Sequence, residues 1–448
     1  MEKAEMRFNN GFVTGISFIS ALGGYLFGFD FAVISGALPF LRKAFALDAW
    51  WEGFLTGSLA LGCIIGCLIA GKLADRYGRK PGLMLAAAIF AVSSIGMALA
   101  GNLTLFVVMR FAAGIGVGMA SMLSPMYIAE VSPASIRGRN VAINQLTIVI
   151  GILITNVVNY MLADQGADAW RWMFGLGFVP SGLFLLGVFW LPESPRWLLK
   201  VGRDSEAQAV LNKIGSTDFV SSTTDNIKRS LAGSTGTQSY AAVFTKAVRP
   251  AVVVGVTLAV FQQLCGINVV FNYTSTIFAS VGANLNRQLI ETIAIGIVNL
   301  LFTLLAMRQV DKLGRRPLML IGSAGLAIAY LLLAYFLQIK APAIWISASV
   351  LIAIGLYATS LAPVTWVLIS EIFPNHIRGV ASSVAIVSLW GAYFVLVFTF
   401  PVLAKVLGTY GPFYLYAAIC FLGFLFIFKR VKETKGQTLE ELEQQFRH

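Results

Sequence analysis

The chain has 448 residues, 57% hydrophobic and only 12% charged, with a mean hydropathy of +0.78. Soluble globular domains carry about 25% charged residues, so this composition excludes an ordinary water-solvated enzyme or binding module. The formal net charge of +12 would suit nucleic acid, but the basic residues are spread over the N-terminus, alternate loops, one central polar stretch and the tail, and no nucleic-acid partner is expected.

Apolar, sparsely charged stretches long enough for one bilayer crossing, roughly 20 residues, recur along the chain. They lie near 12–40, 52–71, 82–100, 104–128, 140–163 and 172–191, then near 250–280, 288–309, 316–338, 342–370, 380–404 and 411–428. They are too long for membrane strands, so the pattern predicts an all-α membrane protein with twelve transmembrane helices. The loops opposite the basic ones hold few cations, namely Arg42, Lys43, Arg171, Arg287, Lys340 and Lys405. This asymmetry predicts a multi-pass protein of the cell (inner) membrane with both termini cytoplasmic. Cys63, Cys67, Cys265 and Cys420 all fall within apolar spans. With no His nearby they read as small hydrophobic residues, and neither a metal nor a cofactor is expected.

Residues 201–249 form the one long polar stretch. Gly202 to Leu211 has the pattern of a short amphipathic helix, whereas Gly215-Ser216-Thr217 and Ser221-Ser222-Thr223-Thr224 predict loops. Ala232 to Gly236 predicts a flexible break before the seventh span. Fewer than 50 residues cannot hold a further enzyme domain.

Three charged motifs then occur twice, in the same order. Asp75-Arg76-Tyr77-Gly78-Arg79-Lys80 returns as Asp311-Lys312-Leu313-Gly314-Arg315-Arg316. Glu130 to Gly138 returns as Glu371 to Gly379, and Pro192-Glu193-Ser194 has a weaker echo at Lys432-Glu433-Thr434. The leading acids are 236, 241 and 240 residues apart. A repeat of this size in an apolar chain predicts two pseudo-symmetric six-helix bundles facing one another across a central site, the plan of a transporter. The expected division is 1–200 and 250–430 for the bundles, 201–249 for a cytoplasmic linker with short helices, and 431–448 for a cytoplasmic tail.

Two charges sit deep within spans, Asp30 in the first and Arg110 in the fourth. An isolated ion at bilayer depth costs at least several kcal/mol, so such residues pair or line a cavity. Neutral amides in apolar spans likewise need a polar cavity or one another. Gln145, Gln262, Gln263, Asn268 and Asn299 are such amides, and an adjacent pair plus Asn268 is hard to explain as helix bridging alone.

The doubled charged loops resemble the major facilitator superfamily. Pro192-Glu193-Ser194-Pro195-Arg196-Trp197-Leu198, Gln262-Gln263-Leu264-Cys265-Gly266-Ile267-Asn268, Glu433-Thr434-Lys435-Gly436 and Leu26 to Gly36 resemble its sugar porter family. That family includes bacterial xylose–proton symporters and the facilitative glucose carriers of animals, and the resemblance runs over essentially the whole chain.

The resemblance implies a monosaccharide carrier (hexose or pentose) working by alternating access. Gln145, Gln262, Gln263, Asn268 and Asn299 would contact sugar hydroxyls. Trp366 would stack beneath the ring, with Phe27 and Trp390 nearby, although Trp390 could be ordinary packing. Gly266 marks where the seventh span could bend. Asp30 resembles the proton-coupling aspartate of the symporters, with Arg110 as its partner, and the alternative is a structural pair. No acid stands near Gly177, where some bacterial symporters carry glutamate, so coupling would rest on Asp30. A cytoplasmic charge network that latches the bundles would comprise Asp75, Arg79, Glu130, Arg137 and Glu193, with Asp311, Arg315, Arg316, Glu371, Arg378 and Glu433 in the second half. Lys72, Lys80 and Lys312 would only set topology. Four positions depart from the family pattern: Asn272 replaces a usual tyrosine, Ala362 a glycine, Leu389 a glutamine or asparagine, and Tyr393 an asparagine.

The expected function is therefore import of a monosaccharide coupled to protons through Asp30 and Arg110, by a monomer in membrane lipid. An uncoupled sugar or polyol uniporter is the alternative. A membrane sugar sensor would be expected to add a longer tail, and a drug exporter would not need the amide-rich seventh span. An enzyme is not expected, since no nucleophile–base constellation exists and His376 and His448 both fall on the cytoplasmic side.

Overall fold

The computed structural model describes residues 8–232, 245, 248–373 and 377–435, except the side chains of 232, 310, 311, 370, 371, 378 and 379. The described residues are almost entirely helical. The first half holds α1 (Asn10–Phe45), α2 (Ala49–Tyr77), α3 (Arg79–Ala98), α4 (Leu103–Val131), α5 (Arg137–Leu162), α6 (Ala169–Gly175) and α7 (Phe178–Trp190). Between the halves lie α8 (Pro195–Lys200), α9 (Asp204–Ile214) and α10 (Thr217–Ala232). The second half holds α11 (Arg249–Leu264), α12 (Ile267–Ala279), α13 (Leu285–Leu313), α14 (Arg315–Gln338), α15 (Ala343–Thr359), α16 (Leu361–Ile372), α17 (Arg378–Leu407) and α18 (Gly411–Arg430). Among the described residues twelve spans are long and apolar enough to cross a membrane, and they coincide with the twelve expected.

Local chemistry explains where the spans begin and break. Asp48, Asn102 and Asn284 cap α2, α4 and α13, their side-chain oxygens accepting from Trp51, Leu105 and Arg287 N–H. Such caps satisfy donors that a helix start leaves free. The sixth, seventh and tenth spans are each broken in two. The seventh breaks at Gly266, whose φ of +93° favours glycine and whose missing side chain leaves room for the Tyr416 ring. The outward-facing sides of the spans are apolar, as Leu183, Leu186, Phe189 and Trp190 on α7 illustrate.

The linker differs from the sequence expectation. Ser221 to Thr224, read as a loop, lies inside α10. The cause is amphipathicity: Phe219, Val220 and Thr224 are buried on one face, with Ile227 and Leu231 continuing it, and this burial overrides the weak intrinsic preference of Ser and Thr. The expected break at Gly233 to Gly236 lies outside the described residues.

The repeat is visible as geometry at the charged end of the bundles. Gly78 joins α2 to α3 at φ +100°, and Gly314 joins α13 to α14 at φ +92°. Against Gly78 lies the Glu193 carboxylate and against Gly314 that of Glu433, so a side chain on either glycine would collide with it. The same junction has been built twice.

The halves meet mainly where α2 packs on α17, α5 on α13, and α1 on α12. The polar and aromatic contacts across this seam cluster in the middle and at the end away from the charged motifs. Arg42 reaches Thr276, Ser275 Oγ donates to the Ser35 carbonyl at 2.7 Å, and Asn156 Nδ2 donates to the Thr292 carbonyl at 2.7 Å. Trp50 packs on Phe398 with ring centroids 5.6 Å apart.

Candidate functional site

The deepest polar group is the pair Asp30–Arg110, with both side chains completely buried between α1 and α4. Arg110 Nη1 lies 3.3 Å from Asp30 Oδ2 and 3.4 Å from Oδ1. Arg110 Nε donates to the Leu55 carbonyl at 3.1 Å, and the guanidinium carbon stands 5.7 Å from the centre of the Phe174 ring. The bonding is incomplete: among the described residues neither Asp30 Oδ2 nor Arg110 Nη2 has a hydrogen-bond partner. Both carboxylate oxygens face Arg110 Nη1, but only Oδ1 accepts a hydrogen bond.

In the second half, the break at Gly266 brings the seventh-span amides together. Asn268 Nδ2 donates to Gln263 Oε1 across the break, and Gln263 Nε2 to Gln262 Oε1 at 3.4 Å. Gln262 Nε2 donates to the Leu361 carbonyl at 3.2 Å and the Ala362 carbonyl at 3.4 Å, at the start of α16. All three amides are buried, and they link two broken spans through neutral hydrogen bonds that another donor or acceptor could replace. One turn further along α16, Trp366 is 43% exposed despite lying in mid-span. From the first half, Phe27 meets Trp390 edge-on at 5.6 Å. Gln145 is half-buried on α5 and Asn299 buried on α13, and no hydrogen bond among the described residues joins either to the amide cluster.

A family model described as sugar (and other) transporter matches residues 16–446. The chain belongs to the sugar transporter family. This sugar porter is 39% identical over 475 residues to the D-xylose-proton symporter of Escherichia coli, covering 98% of this chain and 96% of that protein. It is 37% identical over 441 residues to the arabinose-proton symporter of Bacillus subtilis, covering 97% and 95%. A solved partially occluded inward-open form of the xylose transporter XylE from E. coli superposes with a TM-score of 0.87 at 37% identity, over 96% of this chain and all of that one. The porter is thus a twelve-helix membrane transporter of the major facilitator fold, and not an enzyme.

The charged motifs of the porter assemble within each half. Arg79 binds Glu130 through two hydrogen bonds of 2.8 Å and donates to the Ala74 carbonyl. Glu193 Oε1 accepts from the Arg79 and Ser194 backbone N–H, and Oε2 from that of Lys80. Glu433 accepts in the same way from Arg315, Arg316, Thr434 and Lys435. Asp75 pairs with Lys200 at 2.8 Å, and among the described residues Arg137 reaches only the Ser132 carbonyl, at 3.5 Å. The side chains of Asp311, Glu371 and Arg378 lie outside the described residues.

The two acids of the repeated junction differ in electrostatics. Burial pushes the Glu193 carboxyl above its ordinary pKa, against the pull of its backbone donors and Arg79. Burial also acts on the more exposed Glu433, but four backbone N–H groups outweigh it and hold that carboxyl below its ordinary value.

Sequence reasoning misses four participants. Lys200 was not linked to Asp75, although it sits one turn past the Pro195 helix start. Ser194 Oγ donates to Glu130 at 2.5 Å, a role its place in the Pro-Glu-Ser-Pro motif could have suggested. Arg42 and Glu52, bonded at 2.6 Å through Nε, were passed over because nothing near either one in the sequence marks them as a pair.

Proposed function

We propose that this chain imports a monosaccharide together with a proton by alternating access, and that the described conformation faces inward. The observation that carries the coupling is the Asp30–Arg110 pair, wholly buried yet half-bonded. A permanent structural ion pair at bilayer depth offsets its desolvation only with full hydrogen bonding. One that leaves a carboxylate oxygen and a guanidinium nitrogen without a hydrogen bond is suited to exchanging a proton. The amide cluster and Trp366 supply what a sugar needs, donors and acceptors for hydroxyls and an aromatic face for the C–H side of the ring.

The charged motifs belong on the cytoplasmic side by the distribution of Lys and Arg, which puts both termini inside and the protein in the inner membrane. The seam then closes at the external end, while the motif charges whose side chains are described pair within their own halves. This is the arrangement of an inward-facing carrier whose cytoplasmic latch is released. Names of the relatives, proton symporters for xylose and arabinose, support the same reading. Uptake of a radiolabelled sugar panel into proteoliposomes, with and without an imposed proton gradient, tests it. Accumulation above equilibrium only with the gradient is expected, and gradient-independent equilibration of every sugar would make the protein a uniporter.

A further inference from the structure

Beyond the amide cluster, α12 runs towards the closed end of the seam, and its next turn is arranged differently. Asn272 stands one turn past Asn268, and its Nδ2 donates to the Asn268 carbonyl at 2.6 Å and to the Tyr393 hydroxyl of α17 at 3.0 Å. The Tyr393 hydroxyl returns to Asn272 Oδ1 at 3.3 Å. Both side chains are completely buried. The Tyr393 ring packs against Phe31 at 5.2 Å and Trp390 at 5.7 Å, and Leu389, one turn earlier on α17, is buried too. The Asn272 and Tyr393 polar atoms therefore satisfy one another, and the Trp390 ring beside Tyr393, with Phe27 edge-on to it at 5.6 Å, adds an aromatic wall. Among the described residues, this pair leaves no buried side-chain polar atom without a partner for a ligand to meet.

An aldopyranose carries hydroxyls on every ring carbon except at one edge, the C5–O5 edge. In a pentopyranose the substituent at C5 is hydrogen, in a 6-deoxyhexose a methyl group, and in a hexose a hydroxymethyl group. That edge is the one part of the sugar that matches a wall without partners. We propose that the Asn272–Tyr393 pair closes this end of the site to hydroxyls, so that the carrier selects pentopyranoses and 6-deoxyhexoses over hexoses with a free C6 hydroxyl. The inference rests on the sugar-site reading above. A C6 hydroxyl placed here stays unpaired, and an apolar pocket rejects an added hydroxyl by up to about 100-fold.

Two series that differ only at C5 test this: D-xylose, 6-deoxy-D-glucose and D-glucose, and L-arabinose, D-fucose and D-galactose. Binding to the purified carrier in nanodiscs is measured by calorimetry. In the series with the stereochemistry the site accepts, the hydrogen and methyl members should bind at least about tenfold tighter than the hydroxymethyl member. Equal or tighter hexose binding overturns the proposal, and this readout needs no variant. Tyr393→Asn removes the ring and sets a second amide opposite Asn272, so the hexose disadvantage should shrink about tenfold. An unchanged ratio in a variant that still binds the pentose removes the pair from selectivity. Gln263→Ala separates this failure from that of the site itself. It should weaken all members alike, and if it changes none, or if no member of either series binds the wild type, the sugar-site reading falls and the inference with it.

Discussion

Arg42 on α1 reaches across the seam between the halves to the Thr276 hydroxyl on α12, while holding Glu52 of its own half through Nε and Nη2. The ion pair lies within the first half, so opening this end of the seam leaves both charges paired. Only neutral acceptors are given up, at Thr276 and at the neighbouring Ser275–Ser35 contact. The seam can then part without exposing an uncompensated charge.

Thr276→Val should therefore favour the outward-open form without unfolding the protein. A typical hydrogen bond contributes about 0.5–1.5 kcal/mol net, which corresponds to roughly a two- to tenfold rise in that population. Distances between spin labels placed in the loops after α1 and α12 report it. A distribution identical to wild type would show that Arg42 serves only to hold Glu52.

Gln262→Ala and Gln263→Ala should each weaken sugar binding in a folded protein. Removing one partner from a polar cavity costs about 1–3 kcal/mol, or one to two decades in dissociation constant. Gln262→Ala should carry an additional loss of thermal stability, because its amide also bonds the carbonyls of Leu361 and Ala362 at the break in the tenth span. Unchanged affinity in both variants would take the glutamines out of the site.

The number of spans, the repeat and the broken seventh span were legible because apolar length, duplicated charges and a glycine beside amides are local signals. Asp30 and Arg110 were legible as a pair because charges in spans have few alternatives. Other features are not written locally. Asn272 and Tyr393 each read as an isolated departure from the family pattern, 121 residues apart, and only the fold shows them bonded to each other. Arg42 looked like a stray cation in a sparsely charged loop, since its second contact is 234 residues away. In α10, serines and threonines concealed a helix whose buried face is set by tertiary packing.

The duplicated junction predicts a difference in acid response. Glu433 has a lowered pKa, so it contributes stability above the ordinary carboxylate pKa and loses it as pH falls through its folded value. Glu193 has a raised pKa, so its ionised form is penalised, and its contribution declines as pH rises through the folded value. At neutral pH, Glu433→Gln should lower the melting temperature more than Glu193→Gln, with the gap narrowing on acidification. Melting curves in detergent at several pH values decide it, and a larger loss for Glu193→Gln at neutral pH would contradict the assignment.

The mechanism turns on Asp30→Asn. If Asp30 carries the coupled proton, asparagine mimics its protonated state. Gradient-driven accumulation should then collapse while sugar binding and gradient-independent exchange survive, because the loaded carrier still crosses between conformations without a change of protonation. A purely structural pair predicts otherwise. Removing one partner leaves Arg110 buried and uncompensated, which costs about 3–5 kcal/mol of stability, so melting temperature, exchange and net uptake fall together. Counterflow and proton-driven uptake, measured on the same proteoliposome preparation with a melting curve beside them, separate the two. A well-folded Asp30→Asn carrier that still accumulates sugar against its gradient would refute the proton role.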